Sequence, residues 1–139
     1  MKVFIDTNVL LDVIADRKPF YGDSAAVWTL AEERRIEGCV SAISFTNIFY
    51  VVRKLVNGKT ARRALGLMRD AFSVVACDGR ILSAAMDSDL ADFEDAVQYA
   101  SARHVRAKCM VTRNPGDFPR QGACPVLTPA EFLAAHDVA

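Results

Sequence analysis

Apolar residues along this 139-residue chain fall into two patterns, short unbroken runs and longer stretches of helical period. Val3-Phe4-Ile5 is continuously apolar, as expected of a strand buried on both faces, and predicts a strand over Lys2–Asp6 with a helix starting near Asn8. Asp23 can cap a helix whose Ala26, Val27, Leu30 and Ala31 recur on one face and which ends near Gly38. A second strand is predicted at Cys39–Ser41. The stripe Phe45, Ile48, Phe49, Val52 predicts a helix from Ile43 to Val56, stopped by Asn57-Gly58. Thr60 can cap a further helix with Ala64, Leu67, Met68 and Ala71 inward. Phe72–Ala76 reads as the third strand and Asp78 as the cap of the helix after it. A helix over Ala96–Val105 and strands at Cys109–Thr112 and Pro125–Leu127 follow. Thr128-Pro129-Ala130-Glu131 is a capping box with proline at the first helical position, and it opens a last helix.

Strands alternating with helices imply a parallel sheet covered on both faces, an α/β fold with ligands bound beyond the carboxyl ends of the strands. Neither repeats nor linker-like tracts interrupt the pattern, so one domain over residues 1–139 is expected.

Composition narrows the function without naming it. Apolar residues make up 52% against 24% charged, too hydrophobic for disorder. The charges balance, 17 acidic against 17 basic, so any steering of a polyanion must come from local patches. Cys39, Cys77, Cys109 and Cys124 are widely spaced, each in or beside an apolar run. They read as buried thiols rather than zinc ligands. Asp6, Asp12 and Asp16 interrupt any signal-peptide core, and no apolar stretch approaches the ~20 residues that span a bilayer. A cytoplasmic location without membrane contact is the expectation.

The candidate chemistry lies in three acidic stops. Asp6-Thr7-Asn8 ends the first strand, Asp92-Phe93-Glu94-Asp95 opens a helix, and Thr112-Arg113-Asn114-Pro115-Gly116-Asp117 follows the fourth strand. Each acid has a local explanation: Asp6 and Asp92 as helix caps, Asp95 in a first turn, Asp117 in a Pro-Gly turn. In a parallel sheet, however, these positions converge at one edge. Gathered carboxylates repel one another and are costly to desolvate, so a convergent set points to a divalent metal and to phosphate chemistry. Thr112 and Asn114, and Thr7 and Asn8, are short polar groups suited to fixing a carboxylate's rotamer.

Taken together, Asp-Thr-Asn-Val-Leu-Leu-Asp, Asp-Phe-Glu-Asp-Ala and Thr-Arg-Asn-Pro-Gly-Asp-Phe resemble the PIN-domain ribonucleases, many of them toxins of VapBC-type toxin–antitoxin pairs. The resemblance spans essentially the whole chain. It implies a three-layer α/β/α fold with a central, mainly parallel five-stranded sheet, and Mg²⁺- or Mn²⁺-dependent RNA hydrolysis with water as nucleophile. Asp6, Asp95 and Asp117 match the family's metal-ligand aspartates, and Thr112 and Asn114 its supporting polar residues. The family's further glutamate, in the helix after Val40-Ser41, is Asn47 here. An amide oxygen can ligate a hard cation or orient water but carries no charge, and Asp92 and Glu94 are the expected sources of the missing charge.

RNA needs cations, and Arg113, inside the third motif, is the expected phosphate contact. Arg17-Lys18, Arg53-Lys54, Lys59 and Arg62-Arg63 are further candidates, but most of them read more readily as solvated helix faces. Phe20, Tyr21 and Tyr50 are candidates for base stacking. The resemblance further implies an antitoxin protein partner and a homodimer, to which Trp28, Phe45, Phe49 and Tyr50 are candidate contributors. The competing reading keeps the fold but, with Asn47 in place of the glutamate, binds RNA or a partner without cutting. A phosphatase with Asp6 as nucleophile is disfavoured because Thr7-Asn8-Val9 stand where a second acid is wanted.

Overall fold

The computed structural model describes residues 1–119 and 122–136. Strands β1 (Lys2–Ile5), β2 (Glu37–Ser41), β3 (Ser73–Val75), β4 (Cys109–Val111) and β5 (Val126–Leu127) form one sheet, ordered β3-β2-β1-β4-β5 with every pairing parallel. Helices α1 (Thr7–Ile14), α2 (Tyr21–Glu32), α3 (Ala42–Leu55), α4 (Gly58–Ala71), α5 (Gly79–Met86), α6 (Phe93–His104) and α7 (Pro129–Ala135) connect and cover it.

The alternation of β1 builds the layers. Val3 and Ile5 face one side with Val40 and Val111, under Leu10 of α1, Val27 of α2, Ile48 of α3, Met68 of α4 and Phe132 of α7. Phe4 faces the other side with Cys39 and Met110, under Ala102 of α6. α5 packs on α6 through Ile81, Ala85, Ala96 and Val97. The expected three-layer α/β/α arrangement is therefore present, and the sheet is wholly parallel.

Several local expectations are corrected. α2 begins at Tyr21, so Asp23 lies in its first turn rather than capping it, and the helix stops at Glu32. Asn57, not Thr60, caps α4, accepting from the Thr60 amide at 2.7 Å. α6 starts at Phe93 rather than Ala96, with Asp92 as the cap its position suggested. Trp28 packs in the core, its ring edge-on to Phe72 at 4.9 Å, with 7% of its surface exposed. Cys39, Cys109 and Cys124 are buried thiols as expected, whereas Cys77 is only partly buried; Cys39 is pushed up to about 11 and Cys109 to about 12, in both cases chiefly by burial. Among the described residues no helix is long and apolar enough to cross a membrane.

At Gly38 on β2 the neighbouring side chains leave no room for a Cβ. A Cβ there would stand 2.7 Å from the Phe72 ring and 2.9 Å from the Ala31 Cβ, neither of which can swing away. Gly38→Ala should therefore cost about 1–3 kcal/mol by overpacking, measured by urea unfolding. An unchanged midpoint would mean that the α2–β2 contact is looser than its geometry.

Candidate active site

The chain runs outward from β1 through β2 to β3, then returns to β4 on the other side of β1. The β1/β4 junction is thus the topological switch point, where a crevice opens beyond the strand ends. Asp6 leaves β1 at this point, its amide donating to the Val111 carbonyl at 2.9 Å. One step later on β4, the Thr112 amide donates to the Leu127 carbonyl at 2.9 Å.

Asp6 is buried, with 4% of its surface exposed, and both its oxygens are held. Oδ1 accepts from the Thr7 amide at 2.7 Å as the cap of α1, and Oδ2 accepts from Thr112 Oγ1 at 2.8 Å. Thr112 Oγ1 in turn accepts from Asn8 Nδ2 at 3.3 Å and from the Asn114 amide at 3.2 Å. Asn8 Oδ1 takes the Arg113 amide at 3.2 Å, closing a lattice that clamps the β1 and β4 exits together. Thr112 thus holds Asp6 directly, Asn8 reaches it only through Thr112, and Asn114 contributes its backbone amide.

Asp92, Glu94 and Asp95 enter from the first turn of α6, where Asp92 Oδ1 accepts the Asp95 amide at 2.9 Å. Asp117 enters from a short 3-10 turn, Pro115–Asp117. These acids share one field. Burial, then Asp92, Asp6, Asp117 and Glu94, push the Asp95 carboxyl up to about 6. Burial, with Asp6 and Asp92 behind it, raises Glu94. Asp6 is raised chiefly by burial, against the two hydrogen bonds that favour its charge, with Asp117 and Asp92 adding to the rise. No lysine or arginine among the described residues pairs with any of them, the ion pairs there being Arg113–Asp12 and Arg35–Glu33.

The fit to a divalent cation is one of chemistry. All donors are hard oxygens and their negative charge is uncompensated, the condition a cation relieves. Among the described residues no three acidic, histidine or cysteine side chains form a ready-made ligand set, so the cluster is open rather than a closed cage. Asn47 lies half-buried on α3, one turn beyond Ser44, and makes no side-chain hydrogen bond to another described residue.

Two features escape a reading of the sequence alone. Gln98, fully buried on α6 one turn after Asp95, donates through Nε2 to Thr7 Oγ1 at 2.8 Å and to Ser44 Oγ at 3.2 Å. Those two hydroxyl oxygens stand 2.7 Å apart. This trio bolts α6, α1 and α3 together directly behind the acids, and Thr7 faces it rather than the carboxylates. The available signal is position, because Gln98 shares a helix face with Asp95 and Ala102, toward the sheet. Gln98→Leu should weaken Mn²⁺ binding about 10–100-fold, the usual cost of losing an outer support. The melting temperature should move little, since Gln98 Oε1 is buried without a partner and its removal offsets the lost bonds. Calorimetric Mn²⁺ titration beside a melting curve checks this; a lower melting point with unchanged Mn²⁺ affinity would leave Gln98 a purely architectural role.

The second feature is Arg113. Its Nε lies 3.0 Å from Oδ2 of Asp12, a residue with no exposed side-chain surface, and its guanidinium sits 4.3 Å from the Phe20 ring centroid. The expected phosphate contact is thus engaged inward, with 26% of its side chain exposed. Phe20, a stacking candidate by sequence, is the platform for that arginine.

Comparison with known proteins agrees with this geometry. A family model described as PIN domain matches residues 2–115. The chain belongs to the PIN-domain family. Its fold is shared by PIN-domain proteins of known structure. The VapBC2 complex of Rickettsia felis, bound to a promoter DNA fragment, aligns at TM-score 0.69 and 16% identity over 91% of this chain and 97% of that one. A toxin–antitoxin complex from Klebsiella pneumoniae aligns at TM-score 0.68 and 22% identity over the same shares. The sarcin–ricin loop cleaving toxin VapC20 of Mycobacterium tuberculosis aligns at TM-score 0.64 and 14% identity, over 78% of this PIN domain and 86% of its own chain. No curated protein is similar enough to match.

Proposed function

We propose that this PIN domain is a divalent-cation-dependent endoribonuclease acting as the toxin of a toxin–antitoxin pair. The observation that carries the proposal is the set of Asp6, Asp92, Glu94, Asp95 and Asp117, gathered at the switch point with no basic side chain among the described residues to neutralise it. Membership of the PIN family supports nuclease chemistry. Fold neighbours that are toxins, one of them described as cleaving the sarcin–ricin loop, support RNA as substrate and an antitoxin as partner.

Asp6, Asp95 and Asp117 would hold Mg²⁺ or Mn²⁺, with Asp92 adding charge and Asn47 a neutral oxygen. The cation would supply Lewis acidity toward the scissile phosphate and toward a water nucleophile. The chain's own contribution is preorganisation. Thr7 and Thr112 fix both oxygens of Asp6, Asp92 fixes the first turn of α6, and Gln98 holds the three helices in register. Asp95 keeps a proton below about pH 6 and must release it before the cluster reaches full charge. Activity therefore rises with pH through that region. Partner contacts fall to apolar side chains left in water at the end of α3, where Tyr50 is 58% exposed and Leu55 and Val56 are each 62% exposed. That patch would seat the antitoxin or a second copy of the chain.

The acids also give a test independent of turnover. The folded-state value of Asp95 is raised from 3.8 to about 6, so its proton-linked stability is complete below about 3.8 and is lost as pH climbs through about 6. Above that pH, Mn²⁺ should raise the melting temperature in proportion to RT ln(1 + [Mn²⁺]/Kd). Asp95→Asn should flatten the pH dependence and abolish the Mn²⁺ shift. A wild-type melting point indifferent to Mn²⁺ at pH 7.5 would favour the second reading, a PIN-fold module that binds without cutting. Asn47 in place of an acid and the open ligand set are the observations behind that alternative.

A further inference from the structure

Beside the acids, α5 and α6 flank a groove of about 430 Å³ whose floor and rim differ in character. The floor is apolar, from Ile81 and Ala84 on α5 and Ala96 and Tyr99 on α6; Arg80, Arg103 and His104 line the same hollow. We propose that this groove is a binding site for the single-stranded RNA flanking the scissile phosphate, a reading that rests on the ribonuclease function above.

Ala96, in the floor, is the chain neighbour of Asp95, so the groove begins within one helical turn of the acidic cluster, on the adjoining face of α6. It runs along α6 to Arg103, eight residues on and therefore about 12 Å away at helical rise. Tyr99 is half-buried with its ring tilted over Phe118 at 6.4 Å, next to Asp117, which ties the floor to the other end of the acidic site. Charge separates along the same helix: Asp92, Glu94 and Asp95 at its start, Arg103 and His104 at its end. The helix dipole accounts for cations at that end. It does not account for Arg80, brought to the same hollow from α5, nor for an apolar floor beneath them. Asp87 and Asp89 flank Ser88 at the groove's edge, yet among the described residues none of the groove's cations is in an ion pair. Unpaired guanidinium groups over an apolar, aromatic-bearing floor match a strand that offers phosphates on one side and bases on the other. An apolar segment of protein would satisfy the floor but leave the cations without anionic partners.

The experiment measures binding of a single-stranded RNA oligonucleotide by fluorescence anisotropy in chelator, across a series of salt concentrations, so that no turnover is needed. Arg80→Gln with Arg103→Gln should weaken binding several-fold at physiological salt and flatten the slope of log K against log salt by about 0.7 for each phosphate no longer neutralised. Arg80→Lys with Arg103→Lys should keep the slope, and Arg69→Gln on α4 should match wild type. A glutamine pair that binds RNA with the wild-type slope overturns the proposal, as does a lysine pair as weak as the glutamine pair. If the slope falls as expected while no RNA is ever cleaved, the groove stands and the nuclease reading fails. If cleavage occurs but the slope is unmoved, the reverse holds.

Discussion

Replacing Asp6 by asparagine is expected to reduce RNA cleavage about a thousandfold or more while the protein still folds. The size follows from how the carboxylate is used. Both oxygens are fixed by donors, the Thr7 amide and the Thr112 hydroxyl, and the group is nearly sealed from water. An asparagine can keep its oxygen toward Thr7, but its amide nitrogen then faces Thr112 Oγ1, which already accepts from Asn8 and the Asn114 amide. The hydroxyl must drop a partner, and the β1–β4 clamp loosens as the negative charge disappears. Stability should change little, because the variant also removes a buried charge that was costly to desolvate. Far-UV circular dichroism beside a cleavage time course separates the two effects. Substantial residual cleavage would show that Asp6 supports the fold and not the chemistry.

Replacing Arg113 by alanine is expected to have the largest effect on stability, about 3–5 kcal/mol, because Asp12 is left charged and buried without its partner. Against the roughly 5–15 kcal/mol by which domains of this kind are usually stable, that is enough to unfold a substantial fraction. The loss of the guanidinium from the Phe20 ring adds to it. Burial raises the Asp12 carboxyl, with Arg113 and then Arg17 opposing the rise. The variant should accordingly recover stability as the pH is lowered and Asp12 takes up a proton. Asp12→Asn in the same chain should restore much of the loss, and a double-mutant cycle by chemical denaturation measures the coupling. Additive single-variant effects would mean that the 3.0 Å approach carries no energetic weight.

This pair also marks the limit of what is legible in the chain. Val3-Phe4-Ile5 announces a doubly buried strand because its environment is written locally. Thr128 and Glu131 announce a helix start because both capping bonds form within one turn, at 3.1 and 2.9 Å. The convergence of Asp6, Asp95 and Asp117 follows from parallel strands alone, since strand-end and helix-start residues collect at one edge. Strand order is not legible, and with it goes the identity of the neighbours. Nothing local says that Asp12, on a helix face like any other, lies against a residue that follows β4. Nor does the chain show that Gln98 reaches hydroxyls on α1 and α3. The motif around Arg113 resembles a catalytic one and suggests a substrate contact, yet the tertiary fold turns the guanidinium inward. The start of α6 is legible only through its cap and acids: Phe93 is 51% exposed, and the polar first turn carries no apolar stripe to extend the Ala96–Val105 pattern.

The measurement that bears most directly on the acidic site is cleavage of a mixed pool of single-stranded and structured RNA by the purified protein. It should be run at about pH 7.5, well above the Asp95 value, with Mn²⁺, Mg²⁺ or chelator, beside Asp6→Asn and Asp95→Asn. Cutting that requires a divalent ion, leaves 5′-phosphate ends and disappears in both variants is the predicted result. Cutting that persists in chelator, or that survives Asp95→Asn, would contradict a reaction centred on these carboxylates.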